Sequence, residues 1–93
     1  MKNKKIDLIR KKLDKLDLKM LTLIKKRSIL VNKVLKEKKY KNQIIDNKRI
    51  KIILRKISKE SKKLNLDAKI ANSIWKAMIK SFINYEFRNF KKK

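Results

Sequence analysis

Between Ile6 and Val34 the apolar residues recur at alternating steps of three and four: Ile6, Ile9, Leu13, Leu16, Met20, Leu23, then Leu30 and Val34. That spacing is one face of a packed helix, and it predicts a first helix from about Ile6 to Lys39 or Tyr40. The segment Lys41 to Ile45 (KNQII) breaks the pattern and reads as a loop. Asp46 suits the N-cap of a second helix, about Asn47 to Lys63, whose stripe is Ile50, Ile53, Leu54, Ile57 and Ser61. Leu64-Asn65-Leu66 closes it, Asn65 being the residue suited to a left-handed C-cap in a chain without glycine. Asp67 then caps a third helix, about Ala68 to Phe90, with a broad face of Ile70, Ala71, Ile74, Trp75, Ala77, Met78, Phe82, Ile83 and Glu86. Met1 to Lys5 and Lys91 to Lys93 are basic ends expected to fray.

The fold class expected is therefore all-α: a three-helix subunit with one very long N-terminal helix, and a single domain without internal repeat or linker. At about 1.5 Å per residue the first helix would run ~50 Å, against the ~25–30 Å body of a compact chain of this size. Its seam is too long for the rest of the chain to cover. The expectation is a homodimer in which two long helices lie against each other.

Composition narrows the chemistry. The 93 residues include no Gly, Pro, Cys or His, which favours long helices and excludes disulfides, cysteine- or histidine-ligated metals, a His base and a Cys nucleophile. No apolar run approaches the ~18 residues that span a bilayer and no signal-peptide pattern is present, so the reading is a soluble cytoplasmic protein. The formal net charge of +23 suggests nucleic acid or an anionic membrane as a partner. A/T-rich codon bias explains much of it more simply, since Lys, Ile and Asn make up about half the chain.

Polar residues in phase with the seam carry the candidate chemistry. Arg27 occupies the position due between Leu23 and Leu30, and Lys38, eleven residues on, differs from it by only about 20° on a helix. A charge on a core-facing stripe is costly unless something neutralises it. Two cations there ask for an anion. Arg10 sits beside the seam residue Ile9 but lies some 25 Å and about −100° from Arg27. Across an antiparallel helix pair, Arg10 of one chain can approach Arg27 of the other. Asp46 and Arg49 open the second helix, and Glu86 falls among apolar neighbours on the third. Plainer readings stand beside these. Arg27 could pair with Asp17 or Glu86, Arg10 could be a surface arginine, Asp17 looks structural, and Glu86 could be a solvated acid near a helix end. Taken together, the set suggests a small polyanion held by charge, with catalysis only by orientation and electrostatics.

From Ile6 to Phe87 the chain resembles the all-helical chorismate mutases. The resemblance is carried by IDLIRKKLDKLD, IKKRSILVNKVLKEK, IIDNKR, LDAKIANSIW and INYE, in order and at matching spacing. It implies an intertwined homodimer with two equivalent shared sites, and conversion of chorismate to prephenate in phenylalanine and tyrosine biosynthesis (the shikimate pathway), without metal or cofactor. On matching positions, Arg27 and the other subunit's Arg10 would bind the two carboxylates. Lys38 would donate to the ether oxygen whose bond breaks, and Glu86 would also have to donate to it. Arg49 and the backbone at Asp46 would hold the ring end, with Val34, Ile53, Ile79 and Ile83 as apolar walls. Two positions depart from the family: Ile50 stands where a Glu is usual, and Phe82 where a Ser is frequent. Each lost polar contact is worth roughly 1–3 kcal/mol, so a weakened enzyme is expected.

Three other readings are compatible with the sequence. One is an isochorismate pyruvate lyase on the same fold. Another is a non-enzymatic basic helical protein that binds nucleic acid. The third is a degenerate mutase retained as a regulatory or partner-binding subunit.

Overall fold

The computed structural model describes residues 3–91. It is all-α: α1 is Lys4–Glu37, α2 is Asn47–Lys63 and α3 is Ala68–Asn89, with a short 3-10 turn at Lys41–Gln43 between the first two. No helix among the described residues is long and apolar enough to cross a membrane. The chain divides into two compact units, one closing at Asn32 and the other beginning at Lys33.

The helix ends follow local chemistry. Asn3 Oδ1 accepts the N–H groups of Lys5 and Ile6 at 3.0 and 3.2 Å, capping α1, which starts at Lys4 within the stretch expected to fray. Met1, Lys2, Lys92 and Lys93 lie outside the described residues, and Lys91 is exposed beyond α3. Asp46 caps α2 by accepting from Arg49 N at 3.0 Å, and Asp67 caps α3 by accepting from Lys69 N at 2.8 Å.

Asn65 takes φ 57°, the one positive φ among described residues. Around it Leu66 N bonds Ser61 O and Asn65 N bonds Lys62 O, at 2.8 and 3.1 Å. This is the paired closure of a Schellman motif, made with asparagine in place of glycine.

α1 stops at Glu37, earlier than the apolar pattern predicts. The N–H groups of Lys39 and Tyr40, which a continuing helix would give to carbonyls four residues back, go instead to Gln43 Oε1 at 2.7 and 2.9 Å. Lys38 N reaches only three residues back, to Leu35 O.

In the first unit the α1 seam is uncovered in the single chain: Ile6, Ile9, Leu13, Leu16, Met20, Leu23 and Leu30 are each between 43% and 62% exposed. In the second unit α2 packs on α3. Leu35, Ile44, Ala71 and Ile79 form its buried apolar core. The α2 stripe faces inward as expected, ending in buried Ser61, whose hydroxyl donates to Ile57 O at 2.6 Å. Ser58 Oγ donates to Asn72 Oδ1 at 3.1 Å, linking α2 to α3. The broad face expected on α3 is only partly covered. Trp75, Met78, Phe82 and Ile83 are half-buried, whereas Ile70, Ile74 and Ala77, a second stripe at helical spacing, are exposed in the single chain.

Candidate functional site

The second unit brings two of the sequence-derived candidates together. Lys38 Nζ donates to Glu86 Oε2 at 2.8 Å, the side chains 17% and 10% exposed. α3 places the acid inside because Glu86 follows half-buried Phe82 and Ile83 by four and three residues and buried Ile79 by seven. The reading of Glu86 as a solvated acid is thereby overturned: the residue is 8% exposed. A carboxylate in that place needs a partner, and the Lys38 ammonium supplies it.

Lys38 arrives from the other side, on the first residue after α1. Its ammonium also donates to Ile44 O at 3.4 Å. An ammonium carries three donors, so these two bonds leave one N–H for a ligand. The loop segment KNQII, featureless by periodicity, thus supplies Ile44, only 3% exposed, and Gln43, which holds the chain's exit from α1. Neither residue emerges from the apolar pattern. The available signal is only chemical: Gln43 is a side chain long enough to offer a carbonyl oxygen to backbone N–H groups just past the helix.

The remaining candidates fall as follows. Asp46 and Arg49 are exposed at the start of α2, the Asp46 carboxylate occupied by the Arg49 N–H, and Ile50 is half-buried after them. Among the wall residues Ile79 is buried, Ile53 and Ile83 are half-buried and Val34 is exposed. Phe82 is half-buried. Arg10 and Arg27 belong to the first unit, Arg10 exposed and Arg27 half-buried. α1 is unbroken between them, so their Cα atoms are about 25 Å apart and one chain cannot clamp one small dianion with both. Asp17, read as structural, is exposed on the same helix.

The Lys38–Glu86 pair carries stability as well as chemistry. Lys38→Met leaves a buried carboxylate alone and is expected to cost about 1–3 kcal/mol, at or below the low end for buried pairs because Lys38 keeps some water. Lys38→Met combined with Glu86→Leu is expected to recover most of that loss in urea unfolding.

A group of basic side chains in the second unit lies apart from this pair. An open groove of about 760 Å³ between α2 and α3 is lined by Lys51, Arg55, Lys59, Lys62 and Lys76, with Ser58 and Asn72 also in its lining. It shares no residue with the candidate site.

What the Lys38–Glu86 arrangement offers is a cationic donor fixed beside a buried acid, with no nucleophile. That suits stabilising charge on an oxygen, not covalent chemistry. Comparison of the chain with known proteins identifies its family. No curated protein and no solved structure matched it. The family model described as chorismate mutase type II matches residues 9–87, taking in Arg10, Arg27, Lys38, Arg49 and Glu86, and the chain belongs to that family.

Proposed function

We propose that the protein is a chorismate mutase acting as a homodimer with two shared sites. The observation that supports this reading most directly is the buried Lys38–Glu86 pair, 2.8 Å apart, in a chain of the type II family. The reaction is a [3,3] rearrangement: the ether C–O bond breaks as a C–C bond forms, with no proton, electron or group exchanged with the protein. Its demands are a folded substrate conformer and relief of the negative charge that builds on the ether oxygen.

In this reading Lys38 turns its remaining N–H to that oxygen. Glu86, which accepts from Lys38 as a carboxylate in the free protein, has to take up a proton when substrate binds before it can donate to that oxygen, since a carboxylate only accepts. Arg27 and Arg10 of the partner subunit hold the two carboxylates, the 25 Å between them on one helix being the reason the second arginine comes from another chain. Arg49 and the Asp46 backbone hold the ring end, and Val34, Ile53, Ile79 and Ile83 wall the pocket. Ile50 and Phe82 supply no polar contact, which slows the enzyme without removing its charge clamp.

The α1 seam and the Ile70–Ile74–Ala77 stripe support the dimer. Each fully buried Leu or Ile side chain gains about 1.5–3 kcal/mol, and several of them are uncovered in one chain.

The deciding experiment is incubation of purified protein with chorismate and identification of the product. Prephenate formation lost on Lys38→Ala is the expected result. Pyruvate released from isochorismate, with no prephenate from chorismate, would replace this reading with the lyase one.

A second reading, electrostatic binding of nucleic acid, would use the basic α2–α3 groove. Changing Lys51, Arg55, Lys59 and Lys62 to Gln is expected to leave the mutase rate within about twofold, since none touches the site. If the groove does track phosphates, the same variant lowers the salt slope of nucleic-acid binding by about 0.7–0.9 per lost contact.

A further inference from the structure

The chain has to leave α1 immediately after Lys38 and return within six residues to place Ile44 under the Lys38 ammonium. It does so with neither glycine nor proline. One side chain closes the turn. Gln43 Oε1 accepts from Lys39 N at 2.7 Å and Tyr40 N at 2.9 Å, while Gln43 N donates to Tyr40 O at 3.0 Å. The next bond in the turn, Ile44 N to Lys41 O at 3.1 Å, sets the residue whose carbonyl faces Lys38 Nζ.

Gln43 therefore fixes both ends of the lysine's environment: the backbone from which Lys38 springs, and one of the two acceptors its ammonium meets. A lysine has about 2 kcal/mol of rotamer entropy, so an ammonium that must meet one developing charge gains from a root that cannot move.

We infer that Gln43 is a positioning residue, acting through Lys38 by holding the exit of α1 with its side-chain carbonyl. The consequence for rate rests on the mutase reading, whereas the geometric role does not. What matters is an oxygen acceptor at that reach, so Gln43→Glu retains the function and Gln43→Met, of similar length and without the acceptor, loses it.

Two measurements separate the role from the reaction. In brief acetylation with peptide mapping, Lys38 of the wild type is expected to react severalfold more slowly than exposed Lys33. It should approach the Lys33 rate in Gln43→Met and stay slow in Gln43→Glu. In steady-state kinetics with chorismate, Gln43→Met is expected to lower kcat by about 10–100-fold with KM little changed, and Gln43→Glu to keep most of the rate. A residue needed only for folding would reduce the active fraction and leave Lys38 in the folded fraction as slow as before.

Amide exchange on the wild type supplies a further test that needs no variant. The N–H groups of Lys39 and Tyr40 should be protected, and their rapid exchange would overturn the inference. So would unchanged Lys38 acetylation in folded Gln43→Met, or a Gln43→Glu variant as impaired as Gln43→Met. An inactive wild type whose Lys38 acetylation follows the expected pattern would sink the mutase reading and leave Gln43 in its role.

Discussion

Arg10→Ala and Arg27→Ala dimers are each expected to be nearly inactive, and refolding the two together is expected to restore about a quarter of the wild-type activity. Losing one arm of a charge clamp on a desolvated dianion costs about 2–5 kcal/mol, or roughly 30- to 5000-fold in rate. The restoration follows from symmetry. Random reassortment makes about half the dimers mixed, and in each of these one site joins Arg27 of one chain to Arg10 of the other while the second site has neither. Activity of the mixture no higher than the mean of the two parents would mean that each site is built within one chain. That result would also leave Arg10 without a role, because the unbroken α1 keeps it about 25 Å from Arg27.

Replacing Glu86 with Gln is expected to change the shape of the pH profile more than its height. Glu86 can donate to the ether oxygen only while it carries a proton. If Glu86 is that donor, the wild-type rate should fall as pH rises. An amide donates at every pH. Glu86→Gln should therefore be flat across the same range and overtake the wild type at its alkaline end. It also keeps an oxygen that can accept from Lys38, so the 2.8 Å contact is not what the change removes. A wild-type profile flat from acid to mildly alkaline pH would take Glu86 out of the reaction and leave it as the structural counter-ion of Lys38.

The apolar spacing carried most of the fold because each helix end coincides with a residue whose side chain dictates it. Asp46, Asp67 and Asn65 all cap where their chemistry says they should. α1 ran longer in the pattern than in the structure for a reason that periodicity cannot register: Gln43 competes for the backbone from six residues beyond the helix end. Ile44 was invisible for a related reason. An isolated apolar residue in a turn has no period, although it is among the most deeply buried side chains described.

Of the candidate site, the inward placement of Lys38 and Glu86 was legible through phase, since each fell on a face otherwise apolar, and the ion pair between them joins residues 48 apart in sequence. The exposed half of the α3 face, Ile70, Ile74 and Ala77, was not separable from its buried half. An apolar stripe has the same spacing whether it meets its own chain or another.

The bare seam of α1 gives the protein's abundance a bearing on its shape. With no cover from its own chain, the first unit on the dimer reading draws its stability from encounter. Each tenfold dilution then removes about 1.4 kcal/mol from the folded pair. During synthesis this seam is made ahead of its neighbours, with Ile6 to Leu30 translated before any residue of α2 or α3 exists. Pairing while two chains are still being made on neighbouring ribosomes would shelter it earliest, and a gene expressed sparsely would yield chains whose α1 seam has nothing to fold against.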